Sequence, residues 1–400
     1  MNFVFKDSIS EEDFDSFSYE HKNSTFFQSS NWPKVKLEWK PIYTGVYSND
    51  ELIGVCLVLK RNVFMNFSLM YAPRGPIIDF DNKELLDFYL KSLKDLAKKE
   101  KAMSFTIDPY IIRSEYPMQD IMSDKIVPNY DDSLLSLIEE TGFKHSGFVL
   151  GLNDSFQPRF TPYLKLNEKA DFNKSRAYVN AEKALAGSVK IRRGDLSDID
   201  DFVKVINMTE DYKDISLRSK EYFVRLKKEF KDDCLINFAY MDLEEELKTL
   251  KLRYEDLMSK LANPKLREGR RREYESQLNK LQKDIDFVSN ELTKHSVVDI
   301  AVLLAIKNKG KAELLYAGMN RDFQKYYGSN VCYLDSINWA YDSGCEIVSF
   351  GGCSGSFDHG IDRYKVTFSP IVTEYLGEFV FVNKPFVNKV FEKALEIRRK

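Results

Sequence analysis

Residues 242–295 carry two runs of apolar residues at the spacing of a helical seam, in a chain that otherwise alternates short strands and helices. Within each run the apolar positions lie four and three residues apart in turn, which is the spacing of a coiled coil. These positions are Leu243, Leu247, Leu250, Tyr254, Leu257 and Leu261, then Tyr274, Leu278, Leu281, Ile285, Val288 and Leu292. Asn263-Pro264 separates the runs, and proline ends a helix because it removes a backbone donor. We therefore predict an antiparallel coiled-coil hairpin, the arm, with helices roughly 30 Å long.

Positive charge is concentrated at one end of the arm. Six basic residues and a single acidic one, Glu268, lie between residues 260 and 272, whereas basic and acidic residues balance over the whole arm. The basic residues are Lys260, Lys265, Arg267, Arg270, Arg271 and Arg272. The chain has a net charge of −3, so any contact with a polyanion has to be local. We predict that the tip of the arm contacts a large polyanionic partner.

Composition and motifs exclude several classes of protein. No apolar run approaches the ~18 to 20 residues that span a bilayer, and the N-terminus lacks the order of a signal peptide, which predicts a cytoplasmic protein. The 5 cysteines form no CxxC pair and the 4 histidines are scattered, so neither a disulfide framework nor a metal site is expected. GxSxG, P-loop, HExxH and dinucleotide-binding motifs are missing, and no cofactor is expected.

Two parts of the chain follow one order of predicted elements: a β-hairpin, an amphipathic helix and a strand. In the first part these are residues 42–58, 84–99 and 103–107, and in the second part 298–319, 331–341 and 346–350. A strand at 189–192 and a helix starting near Ser197 precede the second hairpin. Strand, helix, hairpin, helix, strand is the order of an N-acetyltransferase-like (GNAT) domain. We predict an α/β (α+β) fold with two such domains in tandem.

The domain boundaries follow from this repeat. Residues 1–150 are predicted to form the first acetyltransferase-like domain, and 151–241 with 296–400 the second, into which the arm of residues 242–295 is inserted. The glycine-spaced turn with which acetyltransferases bind coenzyme A is not visible. A glycine-rich stretch at 349–356 lets backbone approach a ligand closely, but a tight turn explains it nearly as well.

Several segments, in order along the chain, resemble the Fem-type peptidoglycan aminoacyltransferases of the FemABX family. They are FFQSSNWPKVK, MYAPRGPIIDF, FTIDPYII, LRSKEYF and the C-terminal half from LLYAGMN through YKVTF to EYLGEFVFVNKP. The arm matches a helical insertion that many members carry. The resemblance implies an enzyme that takes an amino acid from aminoacyl-tRNA and attaches it to the stem-peptide amine of a peptidoglycan precursor, usually lipid II. Such enzymes build the cross-bridge of the cell wall.

The resemblance also implies site residues. Positions that bind the precursor align with Lys36, Arg218, Tyr222, Tyr316 and Lys365, and Tyr364 precedes Lys365 where the family often has Phe; we expect Tyr364 to contact the precursor too. Separately from the resemblance, a cation at Lys365, just past the glycine-rich stretch, can stabilise the oxyanion, so Lys365 is the predicted catalytic residue. Lysine and arginine pair with phosphate and carboxylate, and tyrosine supplies a flat face and a hydroxyl. Residues 364–368 depart from the family's FKKGF pattern by losing the second cation and the glycine. The tip residues expected to bind tRNA are Lys265, Arg267, Arg270, Arg271 and Arg272.

Two other functions stay open from the sequence: a coenzyme A-dependent N-acyltransferase, and a noncatalytic module that binds tRNA or protein through the arm. For aminoacyl transfer the expected partners are aminoacyl-tRNA and lipid II or a related muropeptide, with peripheral contact to the inner membrane face through that substrate. Because an ester is activated, forming an amide from it needs mainly positioning and oxyanion stabilisation. The sequence leaves open the amino acid transferred, and whether the protein works alone, as a homo-oligomer or with a sister transferase.

Overall fold

Two mixed β-sheets form the frame of the molecule in the computed structural model, which describes residues 2–63, 67–168, 172–213 and 218–399. The strands are β1 (Phe3–Lys6), β2 (Lys40–Ser48), β3 (Glu51–Asn62), β4 (Ser68–Ala72), β5 (Ala102–Ile107), β6 (Ile112–Pro117), β7 (Lys144–His145), β8 (Phe160–Lys165), β9 (Val189–Gly194), β10 (Cys234–Asp242), β11 (Val297–Asn308), β12 (Lys311–Met319), β13 (Ile347–Ser349), β14 (Ile371–Tyr375) and β15 (Phe379–Val382).

Helices cover both sheets and form the arm. The α-helices are α1 (Glu11–Glu20), α2 (Asn31–Val35), α3 (Lys83–Lys99), α4 (Met118–Met122), α5 (Leu135–Glu140), α6 (Arg176–Leu185), α7 (Ile199–Lys213), α8 (Lys220–Phe230), α9 (Leu243–Leu261), α10 (Glu268–Leu292), α11 (Gly328–Asp342), α12 (Gly360–Lys365) and α13 (Pro385–Arg399). In the described part of the chain, no helix is long and apolar enough to cross a membrane.

The two sheets repeat one structural unit. The first sheet has the order β1-β2-β3-β4-β5-β15-β7, and the second β6-β14-β8-β13-β12-β11-β10-β9. In the first unit β2, β3 and β4 pair antiparallel and β4 pairs parallel with β5, with α3 as the crossover. In the second unit β10, β11 and β12 pair antiparallel and β12 pairs parallel with β13, with α11 as the crossover. The predicted α/β fold with tandem acetyltransferase-like units is confirmed.

Turn chemistry accounts for both predicted hairpins. Asn49 and Asp50, with φ of 50° and 65°, join β2 to β3. Such positive values fit a tight two-residue hairpin turn, where asparagine and aspartate are tolerated. Lys309, with φ of 48°, and Gly310 join β11 to β12, and in this turn only the first of the two residues has a positive φ. The helix expected near Ser197 instead follows a turn capped by Asp195, whose backbone N–H donates to the Asp198 carboxylate at 2.8 Å.

Two strands cross between the predicted domains. β6 lies in the second sheet beside β14, although residue 150 was expected to close the first domain. β15 lies in the first sheet between β5 and β7. Apolar packing holds β15 in the first sheet, because Phe379 is buried in the core of that sheet and the Phe381 ring lies 5.9 Å from the Phe143 ring. A single boundary at residue 150 therefore does not describe the membership of either sheet.

The arm is an antiparallel pair of helices, as the apolar spacing predicted. All 12 predicted seam positions are buried or half-buried, and complete burial is confined to the end near the second sheet and the middle of α10. Asp242 caps α9 by accepting hydrogen bonds from the backbone N–H groups of Glu244 and Glu245. At the base, the Phe287 ring lies 5.2 Å from Phe323. Supercoiling of the pair stays a prediction.

Candidate functional site

Four residues predicted from three separate segments meet between the two halves of the molecule. They form the Lys36 cluster: Lys36, Arg218, Tyr222 and Tyr316. Lys36 Nζ lies 5.2 Å from the centre of the Tyr222 ring, and the Arg218 guanidinium lies 5.4 Å from the same ring. The Tyr316 hydroxyl donates to the Tyr222 hydroxyl at 3.3 Å. The cluster therefore combines two cations with two aromatic faces and two hydroxyl groups.

Local backbone structure brings Lys36 into this cluster. The short helix α2 ends at Val35, and the Lys36 backbone N–H closes its last turn on the carbonyls of Trp32 and Pro33. Arg225, on α8, donates from Nε to the Val35 carbonyl at 3.1 Å. This hydrogen bond ties the end of α2 to the helix that carries Tyr222. The Trp32 ring lies under Lys36, with Nζ 5.1 Å from the ring centre.

The electrostatics of the cluster favour an anionic ligand. Burial, and then the charge of Arg218, lower the pKa of Lys36 to about 8 from its usual value above 10. Glu38 opposes this shift but, among the described residues, no carboxylate comes within ion-pair distance of Lys36. Two cations held together in a partly desolvated place repel each other, so an anion that binds there is stabilised by both.

A cleft with a volume of about 800 Å³ lies between the two sheets. Residues 19–27 of the first half and the turn between β11 and β12 form two of its walls. Arg74, Tyr110, Glu313, Gly352 and Tyr375 also line it. Phe27 lines the cleft and packs edge-on against Trp32, with 5.0 Å between ring centres. Phe27 and Trp32 therefore link the cleft to the Lys36 cluster, although none of the four cluster residues lines the cleft. The volume of the cleft is typical of sites that hold a small ligand or a short peptide.

A β-bulge in β12 connects the cleft to the Lys36 cluster. Tyr316 pairs with Leu304 and Leu314 with Ala305, so Leu315 is an extra residue in the ladder. Glu313 pairs with Ile306. Because residues 304 and 306 face the same side of β11, the bulge turns Glu313 and Tyr316 to one face of the sheet. Along the strand the two are then roughly 7 Å apart.

Asp108 is buried behind the cleft wall and holds the backbone of Arg74, which lines the cleft; the sequence patterns singled out neither residue. Asp108, at the end of β5, accepts hydrogen bonds from the Tyr71 hydroxyl at 2.7 Å and from the Arg74 backbone N–H at 2.5 Å. Burial raises the pKa of Asp108 to about 7. The Arg74 guanidinium lies 4.0 Å from the centre of the Tyr375 ring and donates to the Pro158 carbonyl at 2.7 Å. The sequence signal that could have identified Asp108 is its place as a charged residue directly after the buried strand β5.

Lys365 lies in the wall of the cleft and not on its surface. Its side chain is 4% exposed, and Nζ donates to the carbonyls of Gly351 at 3.2 Å and Gly352 at 2.6 Å. Gly351 has a φ of +68°, and a side chain on Gly352 would overlap Pro158. These positions require glycine, so the glycine-rich stretch is a loop folded around the Lys365 ammonium.

Tyr364 is separated from the four residues of the Lys36 cluster. Its ring packs edge-on against Tyr333 at 5.5 Å and Phe368 at 5.3 Å, and burial raises its pKa well above the usual value. It is not among the residues that line the cleft. Tyr364 therefore packs among aromatic rings and does not join the Lys36 cluster, and its contact with the precursor stays a prediction.

The five tip residues differ in how much of their charge is available. Lys265, Arg267 and Arg270 are exposed. Arg271 is half-buried and donates to the carbonyls of Leu261 at 3.4 Å and Asn263 at 3.5 Å, so it closes the end of α9. Arg272 pairs with Glu268 at 3.3 Å. The free positive charge of the tip is therefore smaller than the sequence count suggests.

The two-sheet fold is also found among solved structures. The crystal structure of FemX superposes with a TM-score of 0.76, covering 98% of this chain and 100% of that one at 22% sequence identity. At this identity the likeness establishes the fold.

Sequence comparison defines the family. The FemAB family profile matches residues 9–395, so the chain belongs to the FemAB family. Aminoacyltransferase FemA of Staphylococcus epidermidis (strain ATCC 12228) is 27% identical over 370 residues, which are 86% of this chain and 87% of that protein. Aminoacyltransferase FemA of Staphylococcus aureus (strain N315) is 26% identical over 406 residues, covering 94% of this chain and 95% of that protein.

Proposed function

We propose that this protein is an aminoacyltransferase that moves an amino acid from aminoacyl-tRNA to the stem-peptide amine of a peptidoglycan precursor such as lipid II. Membership of the FemAB family and the similarity to proteins named aminoacyltransferase FemA support this reaction class. The observation that carries the proposal is the Lys36 cluster, because it gathers anion-binding and sugar-stacking side chains beside a cleft of peptide size.

The precursor offers groups that match the Lys36 cluster and the cleft. Lys36 and Arg218 supply charge for the phosphates, and arginine can bind them in bidentate fashion. Tyr222 and Tyr316 supply aromatic faces for a sugar ring and hydroxyl groups for hydrogen bonds. From this anchor the stem peptide would run into the cleft along the face of β12 that carries Tyr316 and Glu313.

The transfer itself is an attack of the acceptor amine on the ester carbonyl of aminoacyl-tRNA. A tetrahedral oxyanion forms, and the ribose oxygen then leaves. We assign Lys365 to the stabilisation of this charge. Its ammonium lies directly behind the Gly351–Gly352 backbone, so its field reaches the cleft through the loop that it holds.

The arm is proposed to guide the tRNA. Lys265, Arg267 and Arg270 carry the exposed positive charge of its tip, and such charge attracts phosphates in a local and salt-dependent manner. The protein would act at the cytoplasmic face of the membrane, held there peripherally through its lipid-linked substrate.

Reconstitution tests the proposal directly. The purified protein is incubated with lipid II and each charged tRNA in turn, and the product is analysed by mass spectrometry. We expect one charged tRNA to give a precursor heavier by a single amino acid residue, with the amide on the stem peptide. A parallel incubation with acetyl-CoA is the control. Acetylation there, with no transfer from any tRNA, would instead identify a coenzyme A-dependent N-acyltransferase.

A further inference from the structure

Glu313 is a carboxylate in the wall of the cleft without a hydrogen-bond donor among the described residues. It lies on β12, partly buried, and the bulge at Leu315 turns it to the same face as Tyr316. Arg74 and Lys365 influence it only through their charges, since the first is engaged with Pro158 and the second with the glycine loop. A carboxylate that faces the cleft and meets no protein donor there can accept hydrogen bonds from a ligand that enters the cleft.

Asp108 is a second carboxylate near the cleft whose pKa is raised by burial, and its situation is different. It is 2% exposed and does not line the cleft. Its two oxygen atoms accept hydrogen bonds from the Arg74 backbone and the Tyr71 hydroxyl. Asp108 therefore has a structural explanation, because it holds the turn that carries Arg74, whereas Glu313 has none.

We propose that Glu313 binds the primary ammonium group of the acceptor stem peptide in the cleft and takes one proton from it. This inference rests on the proposed aminoacyl transfer. Nearness to Tyr316, roughly 7 Å along β12, places Glu313 on the path of a peptide anchored at the Lys36 cluster.

The charges around Glu313 make this proton transfer feasible. Burial raises the pKa of Glu313 to about 7, although Arg74 and Lys365 oppose the shift; Tyr375 also faces this carboxylate. The same burial and the same two cations lower the pKa of an ammonium group that enters the cleft. The pKa values of proton donor and acceptor therefore approach each other, as efficient general-base catalysis requires.

The reaction balances with this one base. The acceptor ammonium gives a proton to Glu313, and the free amine forms a C–N bond to the ester carbonyl carbon. As the carbonyl re-forms, the bond from carbon to the ribose oxygen breaks, and a second proton passes from the nitrogen to that oxygen. The products are the amide and deacylated tRNA, and Glu313 releases its proton to solvent.

Glu313→Gln tests the proposal, because it removes the base and keeps the shape. Glu182→Gln is the control, since Glu182 is an exposed carboxylate of α6 that does not line the cleft. Turnover is measured with lipid II from pH 6 to pH 10. We expect about a 100-fold loss for Glu313→Gln at pH 7. We also expect its rate to keep rising above pH 9, where the amine loses its proton unaided, while the control follows the wild type.

A binding measurement separates this inference from the proposed function. Calorimetry compares a lipid II analogue with a shortened lipid and the same molecule with a hydroxyl group replacing the acceptor amine. The wild type should prefer the amine by at least tenfold, and Glu313→Gln should bind both equally. An unchanged preference in Glu313→Gln, or unchanged turnover in an active enzyme, would overturn the assignment. If the wild type transfers no amino acid from any tRNA, the proposed function fails, and the calorimetry still decides whether Glu313 binds the ammonium.

Discussion

Lys36 and Lys365 are assigned to one reaction, and the fold treats the two lysines in opposite ways. Lys36 lies over two aromatic rings beside Arg218, and its pKa falls to about 8. Lys365 is enclosed, and two backbone carbonyls accept hydrogen bonds from its ammonium. Arg218 lies near Lys36 and repels it, so binding of an external anion stabilises both cations. The Lys365 ammonium already has hydrogen-bond acceptors inside the protein, so we expect it to act through the glycine loop that it positions.

Because their surroundings differ, we assign Lys36 and Lys365 to different steps of the reaction. Lys36 is expected to contribute to the affinity for the precursor, and Lys365 to the rate of transfer. Three experiments test this separation and a fourth tests the tRNA contact of the arm, and they follow from the largest expected effect to the smallest.

Lys365→Met should have the largest effect. Removing the charge behind the Gly351–Gly352 loop should lower turnover about 100- to 1000-fold, the usual cost of losing an oxyanion-stabilising group. Affinity for the precursor should change much less. Arg363→Met, which removes an exposed cation of the same helix, is the control and should leave turnover unchanged. Weaker precursor binding at full turnover would make Lys365 a binding residue, and the contrast with Lys36 would disappear.

Arg218→Ala and Lys36→Met should each weaken precursor binding about 10- to 100-fold, because a hydrogen bond to a charged group contributes about 1.5 to 3 kcal/mol. Turnover at saturating precursor should stay within a few-fold of the wild type. Titration calorimetry with lipid II gives the affinity. Lys34→Met, an exposed lysine of α2 that pairs with Glu11 at 3.4 Å, is the control. A loss confined to turnover would assign the Lys36 cluster to the chemical step.

Reversing Lys265, Arg267 and Arg270 to glutamate should weaken aminoacyl-tRNA binding about 10-fold at moderate salt. The slope of log affinity against log salt should fall by about 2 to 3, as expected for three lost phosphate contacts. Precursor affinity should not change. Reversing Lys248, Lys251 and Lys280, exposed lysines nearer the base of the arm, alters the charge equally and serves as the control. Equal tRNA affinity in the two triple variants would remove the special role of the tip.

The smallest expected effect is the pH dependence of precursor affinity. Lys36 is protonated below its pKa of about 8, and only the protonated form attracts an anion. Affinity should therefore fall as the pH rises through 8, by at most about 10-fold between pH 7 and pH 9. Lys36→Arg should retain affinity and lose this dependence, since arginine stays charged. A profile that is the same in both proteins would show that another group titrates.

Local sequence patterns predicted the repeated elements of the fold and the arm. Asn49-Asp50 and Lys309-Gly310 are turn residues that specify two-residue hairpins, and the four-three spacing of leucines specifies a helical pair. The exchange of β6 and β15 between sheets was not predictable, because six and four residues of strand carry no information about a partner more than two hundred residues away. For β15, packing of Phe379 in the first core favours the place that the strand takes.

The site residues that could be predicted are those in the segments that resemble the family. Lys36, Arg218, Tyr222 and Tyr316 came from aligned segments, and no periodicity in the chain joins them. Lys365 was predicted to stabilise the oxyanion, but its hydrogen bonds to the Gly351 and Gly352 carbonyls were not predictable, because a sequence does not show which carbonyls a lysine meets. Glu313 was missed for a related reason. From the sequence alone, a glutamate in a strand is expected to face solvent, and only the bulge at Leu315 shows that Glu313 lies on the same face as Tyr316.

The exchanged strand β15 has a consequence for the order in which the protein is made. β5 and β7 belong to the first sheet, but the strand that joins them lies about 230 residues after β7. At a synthesis rate of about 5 to 20 residues per second, the gap between them stays open for roughly 10 to 50 s. The N-terminal half therefore leaves the ribosome with an unpaired strand edge, and its sheet closes only when the C-terminal half has been made.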